Sequence, residues 1–311
     1  MSTAAGRPPR GNKPCRIPLA GTPDAGGGKV RKAADAVRAA LRHEGVRPLP
    51  RGELFLAADF LDRFFGAETG YAARLAAAAR ALALSLVGVD LNGGAASPFF
   101  GSNSDCLEGY FLAGYLNGPV SRLVERCGFL DAMLGLHKTP RLFREICEET
   151  VREAGETAGL AADRGIAAIA LADDIAGTQG LFFSPGWFME GLLPVYGRIA
   201  RVIRDSGLYA FFHSDGDTRK IIGPLIEAGY TCVHPVDAQA GLDLYSLRAE
   251  FGTKVCFMGH IDMAGWNEER IAAKVEAAEN AFRHGGLILG SSCGVSLDTS
   301  KRLASLYPGW R

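Results

Sequence analysis

Eight short apolar runs, most of them separated by helix-length segments, leave this chain few folds to choose from. The runs are Glu53–Ala57, Leu86–Asp90, Tyr110–Tyr115, Ile166–Ala172, Leu208–His213, Thr231–His234, Val255–Met258 and Leu287–Gly290. Each is rich in aliphatic or aromatic residues and bounded by Gly, Asp or Pro, which is the signature of a buried strand. Between most of them lie segments with apolar residues at three-to-four spacing: Pro140–Ala162, Pro185–Ser206, Ile221–Ala228, Gly241–Phe251 and Asn267–His284. Val30–Arg42 and the alanine-rich Tyr71–Ser85 also read as helices, alanine being the strongest helix former. Strands alternating with helices predict a parallel sheet, and eight such strands predict an α/β fold closed into a single (β/α)₈ TIM barrel with an N-terminal helical extension. An open doubly wound sheet would need a nucleotide loop. No GxGxxG follows a strand, and Gly26-Gly27-Gly28-Lys29 lacks both the spacing of a phosphate loop and a preceding strand.

The chain of 311 residues suits one barrel domain over 29–311. Residues 1–28 are rich in Gly, Pro, Ala and basic side chains and lack the apolar core of a secretory signal. They are expected to be a disordered lead, or the product of a start read too early. Lys plus Arg and Asp plus Glu both number 34. This zero balance argues against a dedicated nucleic-acid binder, whose affinity rests on phosphate contacts. No apolar stretch reaches the length of a membrane span. The seven cysteines are odd in number and scattered, with no CxxC. That argues against a disulfide framework and for a reducing cytoplasm.

In a barrel of this kind the chemistry sits at the C-terminal ends of the strands. Five consecutive runs end in polar groups: Asp173-Asp174, His213-Ser214-Asp215-Gly216-Asp217, His234-Pro235-Val236-Asp237, Gly259-His260-Ile261-Asp262 and Ser291-Ser292-Cys293-Gly294. His213 and Asp215 are two apart, so in extended chain both point the same way. With Cys293 from the last strand they would supply nitrogen, oxygen and thiolate, a three-ligand zinc set with one open position. Each also has a plainer reading. A strand-end histidine serves as hydrogen-bonded scaffolding, Asp before Gly as a turn or cap residue, and a cysteine as small core filler. His260 reads as a surface loop residue.

These residues, in this order, resemble the uroporphyrinogen decarboxylase-like superfamily. The resemblance runs from about Val30 to Tyr307. It is carried by Val46–Glu53, Asp173–Gly180, Ser184-Pro185, His213–Gly216, the stretch to Pro235, Gly259–Asp262 and Cys293-Gly294. It implies a (β/α)₈ barrel and one of two activities. The decarboxylases carry an arginine-rich segment that handles substrate carboxylates. Here the corresponding Pro50-Arg51-Gly52-Glu53-Leu54-Phe55 has one arginine and a glutamate. A metal-free carboxy-lyase acting on a tetrapyrrole or other carboxylate, with Arg51 and Asp174, is therefore the alternative. The pattern looks closer to the cobamide-dependent methyltransferases, which bind zinc through a strand-end His-x-Cys and a later Cys. His213 and Cys293 match, and Asp215 stands where that pattern has cysteine. The resemblance implies zinc held by His213, Asp215 and Cys293, and a corrinoid on a carrier-protein partner. It implies transfer of a methyl group to or from a small thiol or methylated substrate. Glu53, Asp174 and His213 are the expected acid–base or orienting groups, with scaffold hydrogen bonding as the other reading of Glu53 and Asp174.

Overall fold

A computed structural model describes residues 27–67, 69–138, 140–300 and Leu306. The lead expected over 1–28 lies outside the described residues except for Gly27 and Gly28, which open the first helix, Gly27–Leu41.

Eight parallel strands form one sheet: β1 (Gly52–Glu53), β2 (Leu86–Asp90), β3 (Phe111–Asn117), β4 (Ile166–Ala172), β5 (Tyr209–His213), β6 (Cys232–Val236), β7 (Cys256–Ile261) and β8 (Leu287–Ser291). Neighbours in sequence are neighbours in space from β1 to β8. The sheet closes on itself where Arg51 bridges Leu289 in parallel and the Leu289 N–H donates to Pro50 O at 2.9 Å. All eight expected strands are present, and the α/β barrel is the fold.

Side chains alternate between two compartments, as strand pleating requires. Leu86, Phe111, Ala113, Ala168, Ala170, Phe211, Cys232, Cys256, Met258 and Ile288 fill the interior. Val37, Ala40 and Leu41 of the first helix join them. That helix plugs the N-terminal end of the barrel, where Ala34 N donates to Gly109 O and Gly286 N to Ala40 O. The other face of each strand (Val87, Leu112, Ile169, Leu171, Phe212, Val233, Phe257, Leu289) packs on the surrounding helices through Ile199, Ile203, Leu247 and Ile271. Burying each such side chain contributes roughly 1.5–3 kcal/mol. The inward rows of β3, β5 and β6 run Phe111–Ala113–Tyr115, Phe211–His213 and Cys232–His234. The last member of each therefore stands at the C-terminal mouth.

Three departures from expectation have local causes. The first run is a strand only over Gly52–Glu53, because Leu54 leaves the ladder to fill the barrel interior. The helix expected over Pro185–Ser206 is Pro185–Trp187 and Leu193–Asp205 joined by a π-turn at Phe188–Leu192. Pro194 has no N–H to continue the α ladder. A two-rung antiparallel ribbon, Ala176–Gly177 with Gly180–Leu181, follows β4 and is too short to show in the sequence pattern.

Candidate functional site

β4 runs into Asp173-Asp174, and the pleat sends the two carboxylates to different places. Asp173 is fully buried. It accepts the N–H of Val120 (3.2 Å) and Ser121 (2.6 Å) at the start of the helix Pro119–Cys127, and the Tyr196 hydroxyl at 2.7 Å. Burial pushes it up to about 6 in spite of those bonds. Its job is to tie a helix to the barrel. Because the folded value lies above the ordinary carboxylate value of 3.8, the group costs stability above pH 6. That cost is relieved as the pH falls towards 4. Urea denaturation at pH 7.5 and 4.5 should show wild type gaining on Asp173→Asn by about 2 kcal/mol at the lower pH; a constant difference would refute this account.

Asp174 stands exposed at the mouth. Its N–H donates to Ser121 Oγ at 3.2 Å, and its Oδ1 accepts the Asp215 N–H at 3.0 Å. β5 ends at His213, whose buried ring is sandwiched by partners. Its Nδ1 lies 2.8 Å from His234 Nδ1, and its Nε2 lies 3.6 Å from Asp174 Oδ1. The Phe55 ring meets it edge-on at 4.7 Å and Tyr115 at 4.8 Å, so one wall of the mouth is aromatic. The turn after His213 is shaped by Gly216, at φ +90°. A Cβ there would lie 2.6 Å from the Ala176 carbonyl carbon. This lets the loop lie against the ribbon, with Asp217 N donating to Gly177 O at 2.9 Å. Asp237, from the end of β6, accepts the Gly216 N–H at 3.2 Å.

Asp174, His213 and Asp215 each present a ligand atom, all within 4.8 Å of one another. Burial pushes His213 down to about 3, so its ring is neutral at physiological pH. Burial and the charges of Asp174 and Asp237 push Asp215 up to about 7. A neutral imidazole beside two carboxylates is a donor set of the kind that can hold a metal ion. Its nitrogen and oxygen atoms suit zinc.

The structure thus brings His213 and Asp215 together and joins Asp174 to them. Cys293 stands outside this group, exposed in the loop after β8, with its Sγ directed to Gly294 O at 3.7 Å. Partial burial of its sulfur, and after that the nearby charges of Glu53, Asp262 and Asp215, push its thiol up to about 11. Glu53 is buried, and its carboxylate accepts both the N–H and the hydroxyl of Ser291, binding β1 to β8. Arg51 donates to Leu306 O at 2.6 Å. His260 is buried rather than a surface loop residue. It lies between Tyr245 and Trp266 at φ +83°, with no hydrogen-bond partner for either ring nitrogen among the described residues. His234, which ends the sixth run, is a further neighbour of the site, though the sequence alone gives it no ligand role. Its signal was present: it follows Cys232 by two, on the inward row, and pairs in register with His213.

A solved structure of a methyltransferase from Methanosarcina mazei superposes with a TM-score of 0.64 at 16% identity, over 88% of this chain and 97% of that one. At that identity the likeness speaks for the barrel fold. A sugar phosphate isomerase/epimerase from Parabacteroides distasonis reaches a TM-score of 0.39 at 6% identity, over 66% of this chain and 73% of that one. No curated protein matches the sequence. The uroporphyrinogen decarboxylase (URO-D) family model matches residues 108–304, more than half of the chain. Six of the eight strands and every member of the Asp174–His213–Asp215 group fall inside that span, and the chain belongs to the uroporphyrinogen decarboxylase (URO-D) family.

Proposed function

We propose that this protein is a zinc-dependent methyltransferase. In this reading it moves a methyl group between a corrinoid, held on a carrier protein, and a small thiol or methylated substrate. The observation that carries the reading is the Asp174–His213–Asp215 group at the barrel mouth, with its ligand atoms within 4.8 Å. Membership in an enzyme family and the fold shared with a solved methyltransferase agree with it. Zinc would be held by His213 and Asp215, with Asp174 beside them, and Cys293 is assigned as the ligand from the β8 loop. Bound there, it would act as a Lewis acid, making a substrate thiol a thiolate or polarising the heteroatom of a methylated substrate. His213 contributes an uncharged nitrogen, with the Phe55 ring packed edge-on against it and Tyr115 behind Phe55. The carboxylates at the mouth disfavour the tetrapyrrole decarboxylase alternative, since a polycarboxylate would have to approach Asp174, Asp215 and Asp237.

Metal analysis combined with a methylcobalamin demethylation assay against a panel of thiols tests the reading. About one zinc per chain and zinc-dependent demethylation are expected; full activity in metal-free protein would overturn it. The pH dependence of zinc affinity then separates the ligands. Asp215 must lose a proton to bind, so affinity should fall roughly tenfold per unit below pH 7. His213, held near 3, adds nothing in that range. Above pH 7 a plateau assigns the site to Asp215 and His213 without Cys293. A continued rise towards pH 9 shows the Cys293 thiol giving up its proton as well. Chelator competition from pH 5.5 to 9 reads both limbs, and a flat profile excludes Asp215 as a ligand.

A further inference from the structure

The two buried histidines at the mouth constrain each other. Their Nδ1 atoms are 2.8 Å apart, which requires one donor and one acceptor, and a neutral imidazole has one of each. Two arrangements satisfy that count. In the first, His234 carries its hydrogen on Nε2, 3.4 Å from Ser291 O, and its Nδ1 accepts from His213 Nδ1–H. In the second, His213 carries its hydrogen on Nε2 and His234 Nδ1 donates. The bare His234 Nε2 would then face the Ser291 carbonyl oxygen. That oxygen can only accept, so two lone pairs would meet between two buried residues. The compensating contact, His213 Nε2 to Asp174 Oδ1 at 3.6 Å, is too long for a hydrogen bond, and in the first arrangement the bare Nε2 faces a carboxylate that is solvent-exposed rather than a buried carbonyl. The first arrangement is the one the geometry selects. Ser291 is fixed in turn, because its N–H (3.1 Å) and its hydroxyl both donate to Glu53.

We propose that His234 is a positioning residue. Held by the Ser291 carbonyl, and through Ser291 by Glu53, it keeps the His213 hydrogen on Nδ1 and so turns the Nε2 lone pair towards Asp174 and Asp215. The chain of contacts links β1, β8, β6 and β5, and assigns Glu53 an anchoring part in it. Such outer partners fix the tautomer and orientation of a ligating histidine. The consequence for zinc affinity rests on the metal reading above; the position of the hydrogen does not.

Long-range ¹H–¹⁵N correlation spectra of the metal-free protein test the hydrogen directly. The chain has six histidines, and the His213 signals are identified by their loss in His213→Gln. A protonated Nδ1 and a bare Nε2 are expected on His213; the reverse tautomer would overturn the proposal. Zinc affinity supplies the second readout. His234→Phe keeps the ring and loses the acceptor, and should weaken zinc by about 10–100-fold. His234→Asn keeps an acceptor at the Nδ1 position and should stay within a few-fold of wild type. Undiminished zinc affinity in His234→Phe would sink the positioning role. If the wild type itself takes up no zinc, the metal reading fails, and the spectra still decide the hydrogen-bond chain. If His234→Phe does not fold, the wild-type spectra decide it likewise.

Discussion

If the proposed function holds, His213→Ala is expected to leave a folded barrel that no longer holds zinc and transfers methyl groups about 10³-fold more slowly. The fold should survive because His213 is the last inward residue of β5, above an interior already filled by Phe211, Cys232, Met258 and Ile288. What is lost is the one neutral nitrogen of the cluster, leaving Asp174 and Asp215 to face each other without it. Two carboxylates alone form a loose, oxygen-only site that suits harder cations better than zinc. A Lewis acid at a reacting heteroatom supplies several kcal/mol, and about 4 kcal/mol corresponds to about 10³ in rate. Zinc content after dialysis, the demethylation rate and a thermal melt together check this. Retained zinc at one per chain would place the metal elsewhere. A rate unchanged in zinc-free His213→Ala would sever the metal from the chemistry. Cys293→Ala is the informative companion. As a ligand, Cys293 should lower zinc affinity when removed; as an exposed loop thiol, it should not.

The architecture was legible because the barrel writes itself into the sequence by alternation. A run such as Ile166–Ala172 is buried on both faces, and its length and its neighbours identify it without any tertiary information. The residues at strand ends were legible for the same reason, but their directions were not. Asp173 and Asp174 are chemically identical, and only the packing of the helix Pro119–Cys127 and Tyr196 against β4 decides which is buried and which faces the mouth. His213 and Asp215 could be paired by local spacing. Their proximity to Asp174 depends on β4 and β5 being adjacent and in register, with Ala172 opposite His213. The pairing of Cys293 with them is what the resemblance implies, yet β8 neighbours β7 and β1 rather than β5, so the loop after β8 approaches from across the mouth. Glu53 read as a chemical group because it ends a strand. Its two bonds to Ser291, more than two hundred residues away in sequence, exist only once the barrel closes.

That closure is where a single methyl group should do most harm to stability. A Cβ added at Gly88 would lie 1.7 Å from the Leu54 carbonyl oxygen, 2.4 Å from its carbon and 2.8 Å from its Cα. On the opposite side of β1, a Cβ at Gly290 would lie 2.0 Å from Gly52 O. The short first strand is thus seated between two glycines of β2 and β8, and the atoms that would be struck are backbone, which cannot rotate aside. Gly88→Ala must therefore push β1 off β2, against the pairs Gly52–Leu86 and Glu53–Val87, and drive Leu54 out of the interior. Overpacking commonly costs 1–3 kcal/mol. With main chain on the receiving side and a core leucine displaced, about 4 kcal/mol is expected, in the range that marks a named structural failure. The same change on the helix Pro140–Asp163 gives the control. A Cβ at exposed Gly159 meets nothing within 4 Å, so Gly159→Ala should stabilise by about 0.5–1 kcal/mol through helix propensity alone. Urea denaturation of the two variants beside wild type should move the midpoint in opposite directions. An unchanged midpoint in Gly88→Ala would mean that β1 is not clamped between its neighbours. In that event Glu53 could not serve as the fixed end of the chain running through Ser291 and His234 to His213.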